Sequence, residues 1–154
     1  MTSPPLWTVD AMASAMRAVR TGPLPPSVPG ISIDTRTVAA GEAFFAIKGD
    51  NRDGHDFVAA ALGAGAGLAV VAADRGESFP ADAPLLVVAD VLDGLRDLAR
   101  AARARSQAKI IGVTGSVGKT GTKEALRLTL AKDGETHASV ASYNNHWGVP
   151  LSLA

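Results

Sequence analysis

The sequence predicts an α/β protein made of a small N-terminal α/β domain, residues 1–90, and the first part of a parallel-sheet domain, residues 91–154. Short apolar runs rich in β-branched and aromatic residues alternate with helical patterns along the chain. A long amphipathic pattern begins at Val91 and indicates the first helix of the second domain. The segment "KIIGVTGSVGKTGTKE", residues 109–124, then combines a strand, a glycine-rich loop and a helix.

The first domain opens with a short predicted helix. Thr8 is placed to cap it, because a hydroxyl can accept a hydrogen bond from an unpaired N–H group of the first turn. The apolar face is predicted to consist of Val9, Met12, Met16 and Val19. The turn formers in "TGPLPPSVPG" then end the helix.

Two short strands and an exposed loop come next in the pattern. The strands are "ISID" and "EAFFAI", and they flank a turn at Ala40 and Gly41. The stretch "GDNRDGH" contains too many turn formers for a strand or a helix, so it predicts an exposed loop.

A helix and two buried strands complete the first domain. Asp56 is expected to cap the helix "FVAAALGAGA". The apolar runs "GLAVVAA" and "PLLVVAD" are typical of strands that are buried on both faces of a parallel sheet. The order of elements is therefore mixed α and β.

The second domain begins with the long helix. Its predicted apolar face consists of Val91, Leu92, Leu95, Leu98, Ala99 and Ala102. Arg96, Arg100, Arg103 and Arg105 lie largely off that face, and we interpret them as a solvated surface. After it, "KIIGV" is predicted to be a strand, residues 120–132 a helix, "THASVA" a further strand and Pro150 the start of a last helix.

Composition limits the classes of function. Fifteen basic residues balance fifteen acidic ones, so the broad positive field typical of nucleic-acid binding is missing. The absence of cysteine excludes disulfides and zinc-thiolate sites, and it agrees with a reducing cytoplasm. The longest apolar runs are too short to cross a bilayer, and the N-terminus has no signal-peptide pattern. Neither nucleic acid nor a membrane is expected as a partner.

The glycine-rich loop predicts a phosphate site. N–H groups of a tight turn and of a helix N-terminus replace the hydrogen-bond partners of phosphate oxygens. Gly115 and Gly118 suit the positive φ angles of such a turn, and Lys119 is placed to reach the β- and γ-phosphates of a nucleoside triphosphate. The Thr120 hydroxyl is a candidate ligand of Mg²⁺. The full candidate site comprises Thr114, Gly115, Ser116, Val117, Gly118, Lys119, Thr120 and Gly121.

The loop departs from the strict pattern G-x-x-x-x-G-K-[ST], which would place glycine at position 113, where the sequence has Val113. A plain glycine-rich turn beside an exposed lysine is the alternative interpretation. The form "TGSVGKT" followed by "GTKE" resembles the variant phosphate loop of the Mur ligases, ATP-dependent enzymes that build the peptide of bacterial cell-wall precursors. Upstream, the stretch "SIDTRTVAAGEAFFAIKGDNRDGHDFVAAALGAGA" resembles their N-terminal, UDP-sugar-binding module, and "NNHWGVPLSLA" resembles a later family segment.

The resemblance implies a function. It favours the member that adds D-alanyl-D-alanine to UDP-N-acetylmuramoyl-tripeptide through an acyl phosphate, with ATP and Mg²⁺, as a cytoplasmic enzyme that is monomeric at full length. Residues 1–90 would then bind the UDP-sugar, and residues 91–154 would begin the ATP-binding domain. Because the family's later motifs lie beyond this stretch, we expect the 154 residues alone not to complete the ligation.

The resemblance also implies substrate-binding residues. Thr35, Asn51 and Arg52 match family positions that touch the nucleotide of the substrate, and Asn144 and Asn145 match positions near ATP-bound Mg²⁺ or the muramyl-peptide. Without the family, residues 34–36 would be an ordinary turn with a local salt bridge. The three histidines show no metal-ligand spacing.

Three alternatives stay open. The chain is a candidate for a ligase that adds diaminopimelate or lysine to the UDP-muramoyl-dipeptide. It is also a candidate for a non-catalytic module that binds a UDP-sugar or nucleotide. A P-loop kinase or GTPase-like switch would account for the loop alone.

Overall fold

A computed structural model describes residues 5–139 and 146–154 and shows the predicted mixed α/β fold. The strands are β1 (Trp7–Thr8), β2 (Val19–Thr21), β3 (Ser27–Val28), β4 (Ile31–Ser32), β5 (Ala43–Phe45), β6 (Leu68–Ala72) and β7 (Leu85–Val88). The helices are α1 (Val9–Met16), α2 (Val58–Gly63), α3 (Ala73–Gly76), α4 (Val91–Arg105), α5 (Lys119–Leu130) and α6 (Gly148–Leu153), with a 3₁₀ turn at Gly54–Phe57. Among the described residues, none of the helices combines the length and apolar character needed to cross a bilayer.

A five-stranded sheet organises the first part of the chain. Its order is β2-β7-β6-β5-β4, in which β4 to β7 run parallel and β2 pairs antiparallel with β7 at one edge. Strands β1 and β3 form a separate antiparallel pair. Because β4 to β7 run parallel, their carboxyl ends lie on the same side of the sheet, which is called its carboxyl edge below. The loops that follow these strands meet there, which is where open α/β sheets bind ligands.

The sheet is covered on both faces, so its inner strands are almost wholly apolar. Successive residues of a strand point to opposite faces, and Phe44 and Phe45 therefore belong to different apolar clusters. Phe45 packs in the cluster that contains α1 and α4, and Phe44 packs in the one that contains α2. Both side chains are at most 1% exposed, so β5 contributes to the core on both faces of the sheet.

Helix α1 is capped as predicted but ends earlier. The Thr8 hydroxyl accepts a hydrogen bond from the Ala11 N–H at 3.3 Å, and Val9, Met12 and Met16 are buried. The prediction for Val19 was wrong, since Val19 lies in β2 and is 66% exposed. The reason is Arg17, whose positive φ of 53° ends the helix and lets the following residues pair with β7.

The cap of the second helix also differs from the prediction. Asp53, and not Asp56, caps the 3₁₀ turn that leads into α2, since its side chain accepts from the His55 N–H at 3.0 Å. The Asp56 carboxylate instead accepts from Arg75 at 3.3 Å. Helix α2 ends at Gly63 because Gly65 adopts a positive φ of 103°.

Helix α4 matches its predicted start and face. Asp90 caps it by accepting from the Asp93 N–H at 2.8 Å, and its buried residues are Val91, Gly94, Leu95, Leu98, Ala99 and Ala102. Leu92 is only partly buried. These residues belong to the same apolar cluster as α1 and the sheet, so α4 packs against the first domain.

The arginines of α4 fall into two kinds. Arg96 and Arg100 form exposed ion pairs one turn apart, with Asp93 at 2.7 Å and with Asp97 at 2.6 Å, as expected for a solvated face. Arg105 behaves differently, because its guanidinium lies 3.5 Å from the centre of the Trp7 ring and also donates to the Leu6 carbonyl. The Trp7 indole N–H in turn donates to the Ala154 carbonyl at 2.7 Å.

The segment between α4 and α5 contains a correction. "KIIGV" was predicted to be a strand, but residues 106–118 are irregular, and Ile110 and Ile111 are 48% and 54% exposed. A strand needs neighbouring strands, and within the described part of the chain none pairs with this segment. Residues 136–139 of "THASVA" are also irregular, and its last residues lie outside the described ranges.

The last two helices agree with the sequence. Helix α5 spans Lys119–Leu130 and a turn continues to Asp133, close to the predicted 120–132. Helix α6 begins at Gly148, so Pro150 is its third residue, where a missing N–H group costs no hydrogen bond. Helix α6 packs against α4.

Candidate functional site

The glycine-rich loop forms a tight turn directly before α5. Gly115 and Gly118 have φ angles of 142° and 80°, and Gly118 is the residue that caps the helix. Both angles lie where residues with a β-carbon are strained, which is why the turn needs glycine at these positions. The predicted requirement for glycine at both positions is confirmed.

The N–H groups of this turn are available to a ligand. In the part of the chain that the structure describes, residues 115–118 donate no backbone hydrogen bond to a protein acceptor. The first helical bond to the loop comes only from the Thr122 N–H, which donates to the Gly118 carbonyl at 2.9 Å. The loop and the first turn of α5 therefore present unpaired donors side by side, and the helix dipole adds positive potential there.

Lys119 stands at the entrance of this site. It is the first residue of α5, and its ammonium group donates to the Gly115 carbonyl at 2.5 Å, which brings the charge back over the loop. Ser116, Val117 and Thr120 are exposed beside it, with Val117 89% exposed. Phosphate oxygens would find both the N–H donors and a positive charge within this short stretch.

Thr120 has the chemistry expected of a Mg²⁺ ligand. It is the second residue of α5, and its hydroxyl is exposed one position after Lys119. Farther along α5, the Glu124 carboxylate already forms ion pairs with Arg127 at 2.8 Å and with Lys123 at 3.0 Å. Those two hydrogen bonds, the one from Arg127 above all, lower the pKa of Glu124.

The substrate-binding residues predicted in the first domain lie at the carboxyl edge of the sheet. Thr35 follows β4 in a turn and is half-buried, whereas Asn51 and Arg52 follow β5 and are exposed. A cavity of about 230 Å³ opens at the same edge. The cavity is lined by Lys48, Asp53, His55, Ala72, Asp74, Arg75, Ala89, Asp90, Val91 and Leu92.

The turn at residues 34–36 contains the salt bridge that the sequence allows. The Asp34 carboxylate accepts from the Arg36 backbone N–H and from its guanidinium, both at 2.9 Å. The side-chain hydrogen bond from Arg36, followed by the backbone one, lowers the pKa of Asp34 from 3.8 to about 2. This bond fixes the turn in which Thr35 lies, so Asp34 and Arg36 act on Thr35 through the backbone.

The sequence did not single out the residues that line the cavity. His55 is 5% exposed, and its Nδ1 lies 2.6 Å from an oxygen of Asp53, whose other oxygen accepts from Arg75 at 2.9 Å. Burial raises the pKa of Asp53, but the hydrogen bonds from His55 and the charge of Arg75 outweigh it and lower the pKa overall. The motif Asp-Gly-His, residues 53–55, was the available signal, because an aspartate two positions before a histidine can cap it.

Two further predictions concern metal binding and the two asparagines, Asn144 and Asn145. Across residues 5–139 and 146–154, no cluster of His, Cys, Asp and Glu side chains is placed to hold a metal ion by itself. Asn144 and Asn145 lie outside the described residues. A wider depression of about 730 Å³ lies between the end of α4 and α6, and none of the described residues lining it is a predicted site residue.

Two protein-family models match the chain. The model described as the Mur ligase family, catalytic domain, matches residues 27–103, which is half of the chain. The Mur ligase middle domain matches residues 113–154, which include the glycine-rich loop.

Two curated relatives of this chain carry the same name. UDP-N-acetylmuramoyl-tripeptide--D-alanyl-D-alanine ligase of Synechocystis is 42% identical over 80% of this chain and 27% of its own length. The protein of the same name from Escherichia coli K12 is 35% identical over 80% of this chain and 26% of its own length. The chain thus spans about a quarter of the length of the curated relatives it matches.

Solved structures agree with the sequence matches. MurF from Acinetobacter baumannii superposes with a TM-score of 0.83 at 34% identity, over 97% of this chain and 33% of that one. MurF ligase from Thermotoga maritima, solved in complex with ADP, gives a TM-score of 0.68 at 32% identity, over 80% of this chain and 28% of that one. With its sheet, its glycine-rich loop and both family matches in the same order, the chain belongs to the Mur ligase family.

Proposed function

We propose that this chain supplies two nucleotide-binding sites of a ligase that adds D-alanyl-D-alanine to UDP-N-acetylmuramoyl-tripeptide. The observation that carries the proposal is the glycine-rich loop, whose unpaired N–H groups lie beside Lys119 at the start of α5. The choice of this ligase within the family is supported by the relatives named for it, at 42% and 35% identity.

The residues divide the work between ATP and the UDP-linked substrate. N–H groups of residues 114–119 and the Lys119 ammonium would take the phosphate oxygens of ATP, and Thr120 would be a ligand of Mg²⁺. Mg²⁺ supplies charge neutralisation on the transferring phosphoryl group. At the carboxyl edge of the sheet, Thr35, Asn51 and Arg52 would contact the uridine nucleotide.

The reaction class explains why these two sites belong together. The terminal carboxylate of the UDP-linked peptide is activated as an acyl phosphate, and the amine of D-alanyl-D-alanine then displaces phosphate to form the amide bond. This chain's residues contribute by binding and orienting two anionic substrates, which turns an encounter of separate molecules into a local reaction. Asn144 and Asn145 are proposed to lie near the ATP-bound Mg²⁺ or the muramyl-peptide.

We also propose a later division between the domains than residue 90. Helix α4 shares the apolar cluster of α1 and the sheet, and the two family matches are separated by residues 104–112. A division in residues 106–112 would leave α4 with the first domain. Limited proteolysis tests it, because cleavage confined to residues 106–112 supports this division and cleavage near residue 90 contradicts it.

Calorimetric titration of the chain tests the two sites. We expect Mg-ADP and Mg-ATP to compete for one site, and UDP and UDP-N-acetylmuramoyl-tripeptide to compete for another. Lys119→Ala should weaken the first binding about 10- to 100-fold and leave the second unchanged, while Lys132→Ala, which removes an exposed lysine outside the loop, should change neither. A preference for guanine nucleotides would replace the proposal with a switch, and UDP binding without any ATP binding would replace it with a non-catalytic module.

The amine is tested by ligation on the polypeptide that the source gene encodes. Conversion of the tripeptide precursor with D-alanyl-D-alanine and ATP supports the proposal. Addition of diaminopimelate or lysine to the dipeptide precursor would reassign the protein within the family. For the 154 residues alone we expect no steady release of phosphate, and its detection would contradict that expectation.

A further inference from the structure

The loop that follows β5 is a closed turn with an exposed tip. Residues 48–53 are joined at their base by a bridge between Lys48 and Asp53, and the Gly49 N–H donates to the Arg52 carbonyl at 2.9 Å. The residues at the tip, 50–52, are exposed. They include Asn51 and Arg52, so the placement of this tip decides how well the two side chains meet a nucleotide.

Asp53 connects the base of the loop to two other elements. One carboxylate oxygen accepts from the His55 N–H at 3.0 Å and lies 2.6 Å from the His55 Nδ1. The other oxygen accepts from the Arg75 guanidinium at 2.9 Å, and Arg75 belongs to α3, directly after β6. Both oxygens are therefore used, and each one fixes the loop in a different direction.

His55 ties the same loop to the end of β6. Its Nε2 accepts from the Ala72 N–H at 2.9 Å, and this nitrogen therefore carries no proton. The Nδ1 then carries the ring proton and donates to Asp53, so one neutral tautomer satisfies both contacts. Gly54 between them has no room for a side chain, because a β-carbon there would lie 2.6 Å from the Ala46 carbonyl carbon.

Burying these polar side chains costs free energy that an apolar core would not cost. A buried imidazole and a largely buried carboxylate lose hydration, and an apolar side chain would fill the same space without that loss. What the polar network adds is direction, since its hydrogen bonds set the angle at which the loop leaves the sheet. The network also lines the cavity at the carboxyl edge, where the nucleotide is expected.

We propose that His55 and Arg75 are positioning residues, which act through Asp53 to hold the loop of residues 48–53 in the orientation that binds the uridine nucleotide. The inference rests on the proposed function of this edge as the UDP site. It assigns roles to two side chains that need not touch the nucleotide themselves. Loss of the Asp53 contact with either His55 or Arg75 would let the tip move while the sheet stays folded.

Arg75→Met is the main test, because Arg75 is 38% exposed in its side chain and the substitution keeps the length of the chain. We expect UDP affinity to fall about tenfold, as a small displacement of a binding group can cost at least that much, with Mg-ADP affinity unchanged. Arg96→Met is the matched control, since Arg96 is 40% exposed and also pairs with an aspartate, and neither of the two residues lines the cavity. It should leave both affinities unchanged.

A double-mutant cycle separates positioning from a general structural role. If Arg75 places the tip, Asn51→Ala weakens UDP binding in the wild-type chain but has little further effect in the Arg75→Met background. If Arg75 only stabilises the fold, the two substitutions act additively on UDP binding and Arg75→Met lowers the unfolding midpoint. That additive result would overturn the inference.

His55 is tested with two amides that each keep one contact. The Gln side chain in His55→Gln can reach the Ala72 N–H but loses the donor to Asp53, whereas the Asn in His55→Asn keeps a donor near Asp53. If the tie to Asp53 positions the loop, UDP affinity should fall more in His55→Gln than in His55→Asn; the opposite order would contradict it. If the wild-type chain binds no UDP, the proposed function itself is contradicted. If the wild-type chain binds UDP and Arg75→Met binds it equally well, only this inference is contradicted.

Discussion

Helices α4 and α5 look alike in sequence and differ in their surroundings. Both are amphipathic, and both start where the sequence predicts a helix within one residue. Helix α4 has six buried residues, packed against α1, α6 and the sheet, whereas α5 has none, and no residue of 106–139 is buried. A helix therefore forms from local signals in both places, but only the first region adds a core to it.

The same comparison explains the strand that did not form. Strands β5, β6 and β7 lie side by side and bury nearly all of their residues. The run "KIIGV" has the same apolar character, yet it stays irregular and half-exposed. The first region thus carries stability and the second carries an accessible phosphate loop, and the following experiments test this division.

The largest effect is expected from Phe45→Ala. Phe45 is fully buried in β5, an inner strand of the sheet, and removing an aromatic side chain from such a site costs about 3 to 5 kcal/mol. Unfolding in urea, followed by circular dichroism, would show a strongly lowered midpoint or no folded state. A change below about 1 kcal/mol would show that the sheet is not the source of stability.

The next largest effect is expected on nucleotide binding, with no change in stability. Lys119→Ala should weaken Mg-ADP binding by about 10- to 100-fold, since a charged hydrogen bond contributes about 1.5 to 3 kcal/mol. Its only described partner is the Gly115 carbonyl in an exposed loop, so the unfolding midpoint should stay the same. Calorimetry and urea unfolding on one preparation measure both, and a variant that binds ADP normally would remove the loop from the proposed site.

A smaller effect is expected at Asp34. Its pKa is lowered to about 2, so the stabilisation is complete above the ordinary value of 3.8 and disappears as the pH falls toward 2. Because Arg36 is 86% exposed, solvent screening reduces the contribution to about 0.5 to 1 kcal/mol. Asp34→Asn should lower the free energy of unfolding by this amount at pH 6 and by less at pH 2.5, and an equal loss at both would contradict the assignment.

The smallest effect is expected from Leu128→Ala on α5. Leu128 is 60% exposed, and alanine is at least as good a helix former, so the free energy of unfolding should change by less than about 0.5 kcal/mol. It serves as the counterpart of Phe45→Ala in the other region. A loss above about 1 kcal/mol would show that α5 packs against part of the protein in solution.

The features that the sequence predicted well are those encoded by neighbouring residues. Thr8 caps α1, α4 begins at Val91, and Gly115 and Gly118 adopt positive φ angles, because each depends on contacts within a few positions. The prediction failed where distant residues decide the outcome. Val19 joins β2 because β7 offers it a partner, and "KIIGV" stays irregular because no described strand does.

The candidate sites divide in the same way. The phosphate loop is contiguous, so its residues could be identified from spacing alone. The network of Asp53, His55 and Arg75 could not, since Arg75 lies 22 residues from Asp53 and reaches it only through the order of β5 and β6. The Asp-Gly-His motif, residues 53–55, was the one local signal for this network.

The stacking of Arg105 on Trp7 gives the chain a built-in optical probe. Trp7 is 3% exposed, and its indole N–H is bonded to the Ala154 carbonyl, so its emission responds to both the end of α4 and the end of α6. Separation of α6 from α4 would wet the ring and shift its fluorescence to longer wavelength, while a Trp147→Phe background would leave Trp7 as the sole indole of the two in the chain. Motion between the two family-matched segments can thus be followed without attaching a dye.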